Sequence, residues 1–223
     1  KALFSVKFEP PFCIIKKAMF QIPHTYLIIL ITVLMSMAAW QHRAVMDRLI
    51  FNISAIRYGQ YDRFLTHGFI HNDGIHLFFN MLTLFFFGRH IEWFFREYLW
   101  GMGFVLFYCS AIIVAAIPSY LKNKNFNSYR SLGASGAVNA VLFSSILFDP
   151  WATIYLYFIP IPAILFGVAY LCYSIYASRS GHAPLIDHYA HITGAVYGFL
   201  FPLLLMPALG SSFFYLFLMG PRL

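Results

Sequence analysis

Long apolar runs separated by short polar stretches set the pattern of this chain. The first run, about residues 23–40, predicts a spanning helix with Pro23 in its first turn and Trp40 as an anchor at the membrane interface. Residues 41–66 alternate Val45, Met46, Leu49, Ile50, Phe51, Ile53 and Ile56 with Arg43, Asp47, Arg48 and Arg57, which suits short amphipathic pieces lying in the interface. A second helix is expected over about residues 75–88, with Arg89, Glu92 and Arg96 marking its exit. A third is expected over about 99–121, followed by a polar loop over 122–132. The next helix starts at Ser135 and is stopped by Asp149 and Pro150. Residues 151–159 read as extended, and Pro160 and Pro162 sit where a fifth spanning helix begins, ending near Ser178. The sixth runs over about 188–209, interrupted late by Pro202 and Pro207.

The expectation is an all-α membrane protein. An interfacial segment (1–22), broken by Pro10 and Pro11, leads into one six-helix domain (23–209) and a tail (210–223). The apolar runs are continuous and do not alternate, which argues against a barrel. No small-residue cleavage site follows the first run, so it reads as an uncleaved anchor.

Composition sharpens this picture. With 61% hydrophobic and only 10% charged residues, a soluble fold is excluded. The net charge of +7 comes from lysines and arginines spread over loops, where they meet anionic headgroups; they form no basic stripe, so no nucleic-acid partner is expected. Cys13, Cys109 and Cys172 lie far apart, as packed thiols do, and no cofactor or metal is expected. Arg43, Arg48, Arg57, Arg63, Lys122, Lys124, Arg130 and Arg179 on one side nearly balance Lys1, Lys7, Lys16, Lys17, Arg89, Arg96 and Arg222 on the other, so charge does not decide orientation.

The helix headed by Ser135 is too short for its surroundings. Residues 135–148 span roughly 21 Å at ~1.5 Å per residue, against a hydrocarbon core of ~30 Å. If its foot reaches the far face, Ser135 lies below the near surface. A serine hydroxyl at the positive end of a helix, opening on a water-lined cavity, suits nucleophilic chemistry. Gly133, Ala134, Gly136, Ala137 and Ala140 would equally make a packing face, and on this segment alone packing is the better reading.

Polar side chains within other spans reverse that preference, because each is expensive in a membrane. His76 and Asn80 share one helix face, with His67 and His71 just before them. His191 stands ahead of Gly194 and Gly198, whose spacing allows a second helix to come close. Brought together, His191 takes the proton from Ser135 and returns it to a leaving amine. The Ser135 backbone amide, Asn80 and His76 are the candidate oxyanion donors. Asp187 reads as a helix N-terminal residue rather than a third catalytic member. A nitrogen-rich metal site from His67, His71, His76 and His191 is a weaker alternative, with no buried carboxylate among them.

At this point the chain resembles the rhomboid intramembrane serine proteases. The matching pieces are Arg63 to His71, His76 with Asn80, Gly133-Ala-Ser135-Gly136, Phe158 to Ala163, and Ala190-His191 with Gly194 and Gly198. They occur in family order over about residues 59–201. The resemblance implies a six-transmembrane-helix rhomboid-like bundle with a Ser135–His191 dyad needing no acid, and His76 and Asn80 at the oxyanion. It further implies that His71 supports the site, that Gly133 and Gly136 let the serine helix pack, and that Arg63 stabilises the first loop. The fifth helix, entered at Pro162, resembles the gate past which a substrate helix reaches the dyad. The implied partners are single-pass transmembrane substrates and the bilayer, the implied home a bacterial inner membrane, and the implied orientation N-in with the site opening outward. Two positions depart from the family. Asn139 stands where an aromatic residue stacks on the catalytic histidine, and Asp62 where many members carry tryptophan. The alternative reading is a rhomboid-like pseudoprotease that binds membrane helices for quality control.

Overall fold

The computed structural model describes residues 22–156, 158–180 and 187–221. The expected lead-in with Pro10, Pro11 and Cys13 lies outside them. Among the described residues five helices are longer than fourteen residues: α1 (His24–Gln41), α5 (Gly74–Tyr98), α6 (Gly103–Asn123), α8 (Ala163–Ser180) and α9 (His188–Leu205). Between α1 and α5 come the short helices α2 (Arg43–Leu49), α3 (Ile53–Arg57) and α4 (Arg63–Thr66) and a tight turn, His67–Phe69. The two-residue strand β1 (Phe51–Asn52) pairs antiparallel with β2 (Arg130–Ser131), tying this first loop to the segment before the serine. The serine heads α7 (Ser135–Phe148), and a hairpin of β3 (Thr153–Leu156) and β4 (Ile159–Pro162) connects it to α8. The last helix is α10 (Ala208–Met219).

Helix α7 is the axis of the fold. Gly136 through Ser144, Ile146 and Leu147 are all buried, as expected of a helix that is apolar all round. Helices α5, α6 and α9 pack around it, and α8 meets it more sparingly. The closest approach is to α9. A Cβ at Gly194 would lie 2.0 Å from the Gly136 carbonyl oxygen, and one at Gly198 would lie 2.0 Å from that of Ala140. Those distances require glycine, so the sequence spacing sets how near the two backbones come.

Three expectations need correction. Helix α5 does not end at Gly88 but continues ten residues, to Tyr98. Glu92 therefore does not mark an exit: it is buried against the first turn of α1, accepting from the backbone N–H groups of His24 (2.7 Å) and Thr25 (3.0 Å) and from the Thr25 hydroxyl (2.7 Å). A carboxylate at an uncapped, positive helix end is satisfied there. The sixth helix stops at Leu205, not Leu209, because the chain bends by 118° before α10, which takes up most of the stretch expected to be a tail. Pro202 lies inside α9 without ending it. Its missing N–H would leave the Gly198 carbonyl without a partner, and the Ser144 hydroxyl of α7 fills that vacancy at 2.6 Å.

Among the described residues two helices, α1 and α6, are long and apolar enough to cross a membrane, and a third counts if α9 and α10 are taken as one bent pair. The expected count of six is not reached on that basis, because α7 and α8 are short and α5 carries His76, Asn80, Arg89 and Glu92. The protein is a mostly helical membrane protein.

Candidate active site

The turn that presents Ser135 is held from the first loop. Gly133 adopts φ +120°, a conformation that disfavours any side chain, and a Cβ there would strike the His76 ring at 2.6 Å. Its N–H donates to the His67 carbonyl oxygen (3.0 Å) and that of Ala134 donates to His71 Nε2 (3.2 Å). Because Nε2 accepts, the His71 proton sits on Nδ1 and donates to Ser36 Oγ (3.1 Å), whose own proton faces the Phe69 carbonyl oxygen. Arg63 holds the loop from beneath, its Nη1 donating to the carbonyl oxygens of Asp47 (2.9 Å) and Ile50 (2.6 Å). Asp62 accepts from Arg48 at 2.7 Å in a half-exposed pair, and that bond holds its carboxyl below the usual range.

Ser135 is the first residue of α7, and no side chain caps that end. The first-turn N–H groups therefore remain available as donors. Gly136 packs its bare Cα against Ala115 of α6, which lets the turn sit this deep. From α9, His191 Nε2 comes to 2.8 Å from Ser135 Oγ, although the two are 56 positions apart in sequence. Asp187 caps α9 through the Ala190 N–H (3.1 Å) and accepts from the hydroxyls of Ser119 (2.6 Å) and Tyr129 (3.0 Å). It is a tether between α6, the loop between α6 and α7 that holds Tyr129, and α9, and its carboxylate is spent there. Asn80 is buried and donates to the His76 carbonyl oxygen within α5 (2.9 Å), which leaves its second N–H free for another acceptor. The His76 and His71 rings meet edge to face at 5.0 Å.

A domain model for the rhomboid family matches residues 58–208 of this chain. The chain belongs to the rhomboid family. It is also similar to "RHOMBOID-like protein 12, mitochondrial" of Arabidopsis thaliana, 32% identical over 165 residues. That match covers 68% of this chain and 48% of the relative, so the chain spans about half the length of the curated relative it matches.

Sequence reasoning missed Tyr170. This residue of α8 places its hydroxyl 2.9 Å from His191 Nδ1, and its ring stacks on the imidazole at 6.0 Å with an interplanar angle of 24°. Asn139 Nδ2 donates to the same hydroxyl at 2.7 Å. Asn139 thus does not reach the histidine itself, and the aromatic partner comes from another helix. The four histidines considered as a metal site do not assemble. Among the described residues no group of three or more His, Cys, Asp or Glu could hold a metal ion.

Two loop histidines carry a pH dependence. Burial pushes the His67 ring down to about 4 and the His71 ring to about 3, so both are neutral near pH 7. His67 donates Nδ1–H to the Arg63 carbonyl oxygen at 2.8 Å in that state. Folded-state values below the ordinary ~6.5 mean that the unfolded chain binds protons the folded chain refuses. Stability from these groups is therefore complete above pH ~6.5 and declines as pH falls through that value, towards about 4 for His67 and about 3 for His71. The thermal midpoint in detergent is expected to fall between about pH 7 and pH 5, and a flat profile would contradict the neutral, buried assignment.

Proposed function

We propose that this rhomboid-family protein is an intramembrane serine endopeptidase that cuts the transmembrane segments of single-pass membrane proteins with a Ser135–His191 dyad. The observation that carries this reading is the 2.8 Å approach of His191 Nε2 to the hydroxyl of a serine at the uncapped head of a buried helix. On this reading α1, α5, α6, α7, α8 and α9 form six spans. The N-terminal side faces inward and the serine opens towards the outer face.

The chemistry follows from the donors present. Ser135 Oγ attacks the scissile carbonyl carbon as its proton passes to His191 Nε2. The carbonyl oxygen gains the displaced electron pair, and the proposed donors to it are the Ser135 N–H, the His76 ring, which lies against Gly133, and the second N–H of Asn80, one turn further along α5. Collapse breaks the C–N bond, the imidazolium gives its proton to the leaving amine, and an ester remains on Ser135. Water, deprotonated by His191, then releases the acid and restores the hydroxyl. A substrate helix must unwind locally before attack, since a helical peptide carbonyl is already hydrogen-bonded and shielded, so helix-destabilised segments with small residues are the preferred sites. The proposed home is a cellular membrane. The one named relative is mitochondrial, which lends the bacterial inner membrane no support.

The test is cleavage of a panel of single-pass helices in proteoliposomes. Cutting inside the bilayer of substrates bearing a central Gly or Pro, with their helix-stabilised counterparts spared, is the expected result. Binding of the helices without cleavage would instead support the quality-control alternative.

A further inference from the structure

Asn139, Tyr170, His191 and Ser135 form one hydrogen-bonded line across three helices, with successive separations of 2.7, 2.9 and 2.8 Å. The direction of each bond can be worked out from its ends. If Nε2 is to accept the serine proton, the imidazole must carry its own proton on Nδ1. Among the described residues the partner of that N–H is the Tyr170 oxygen, which then accepts from both His191 and Asn139. A phenol oxygen has the lone pairs for this. The opposite arrangement, with Tyr170 donating to Nδ1, places the ring proton on Nε2 and leaves Ser135 without a base. The Asn139 amide is buried, 6% exposed, and fixes where the phenol oxygen sits.

The geometry points to Tyr170 as a positioning residue for His191, anchored by Asn139. It holds the imidazole in the tautomer and orientation that serve Ser135, as a carboxylate does in a three-residue site. This inference rests on the serine-hydrolase reading of the dyad. Asp187 cannot take the role, since its carboxylate is already bound to Ser119, Tyr129 and the end of α9. The other ionisable groups facing the His191 ring are His188 on its own helix, whose ring lies edge-on at 5.9 Å, and His76 from α5. Neither bonds to Nδ1. Tyr170 acts through the stack as well as the hydroxyl, but only the hydroxyl selects a tautomer.

Tyr170→Phe separates the two contributions, because it keeps the ring and deletes the acceptor. In the full chain reconstituted in proteoliposomes, kcat and the rate of labelling by a fluorophosphonate probe are expected to fall on the order of 10- to 100-fold, less than the ~10⁴ lost when a triad carboxylate becomes an amide. KM should stay within about twofold, because no substrate contact is removed. Loss of an acceptor that stabilises the imidazolium should also move the acidic limb of the rate profile to lower pH. Asn139→Leu, which leaves the phenol in place but unanchored, should lower kcat by a smaller factor and add nothing in the Tyr170→Phe background. If Tyr170→Phe lowers the thermal midpoint, Asn139→Leu carries the same comparison. A Tyr170→Phe enzyme with wild-type kcat and an unmoved acidic limb would overturn the inference while leaving the dyad standing. So would an Asn139→Leu effect that persists undiminished in the double variant. A wild-type protein inert to both probe and substrate would instead remove the serine-hydrolase reading, and this inference with it.

Discussion

If the proposed function holds, Ser135→Ala is expected to abolish labelling by a serine-reactive fluorophosphonate and to lower peptide-bond hydrolysis by on the order of 10³-fold or more, with the fold intact. The expected size follows from the role, since deleting the nucleophile removes the covalent route altogether. The clean separation from folding follows from the local structure. Ser135 is the first residue of α7 and its hydroxyl caps nothing; its hydrogen-bond partner is His191 Nε2. Alanine at that position therefore costs no cap and suits the helix at least as well. His191→Ala should produce a comparable loss, and the double variant little more than either single change, because two groups acting in one step are not additive. His76→Ala should leave labelling detectable and lower kcat by roughly 10²-fold, the scale of one oxyanion donor. Probe labelling that persists in Ser135→Ala would show that another nucleophile reacts. Equal losses for His76→Ala and His191→Ala would deny the dyad its separate standing. Matched thermal midpoints in detergent are the control that makes either result readable.

Much of this arrangement was legible before any fold was known, and the reason is the bilayer. In a chain with 10% charged residues, a histidine or amide inside an apolar run has no solvent to satisfy it, so each one announces a partner. That logic singled out His191, His76 and Asn80 and so reversed the packing reading of Ser135, which the structure brings within 2.8 Å of His191 Nε2; it also read Asp187 as the helix N-terminal residue that it is. It failed where the same logic gives no signal. Tyr170 sits in a chain with 15 tyrosines and 26 phenylalanines, where one more aromatic residue on an apolar helix stands out in no way. Only the packing of α8 against α7 and α9 shows that its hydroxyl meets Asn139 and His191.

Glu92 failed in the opposite direction. A carboxylate after an apolar run signals the end of a span, but here the first turn of α1 supplies three donors to it. The sequence of α5 contains no trace of that antiparallel neighbour. Pro202 belongs to the same class: its usual penalty is met by Ser144, a residue of another helix. Local rules broke wherever tertiary contacts between distant helices satisfied a backbone or side-chain group.

Gly194→Ala should cost more than 10²-fold in hydrolysis although residue 194 touches neither the dyad nor a substrate. The added Cβ would lie 2.0 Å from the Gly136 carbonyl oxygen and 3.0 Å from its Cα. Both are backbone atoms of the residue directly after Ser135, and no side-chain rotation can move them aside. Helix α9 must therefore back away from the head of α7 by an ångström or more to restore ordinary contact. His191 lies one turn before Gly194 on the same helix, so its Nε2 retreats from the serine hydroxyl with it. A misplacement of about 1 Å is enough for a loss of that order. Gly198→Ala meets the Ala140 carbonyl oxygen at 2.0 Å, a turn deeper, and disturbs the carbonyl that Ser144 holds. There the larger effect should be on stability, a fall in the thermal midpoint, because overpacking against backbone commonly costs about 1–3 kcal/mol or more. Gly210→Ala in α10 is the matched control: the nearest atom to its added Cβ is a Leu203 methyl carbon at 3.7 Å, an ordinary contact. Alanine also improves helix propensity there, so activity and midpoint should be unchanged or slightly raised. A Gly194→Ala protein that labels and cleaves like the wild type would mean that the α7–α9 contact can open without parting Ser135 from His191. The dyad would then owe its geometry to something other than the close approach of these two backbones.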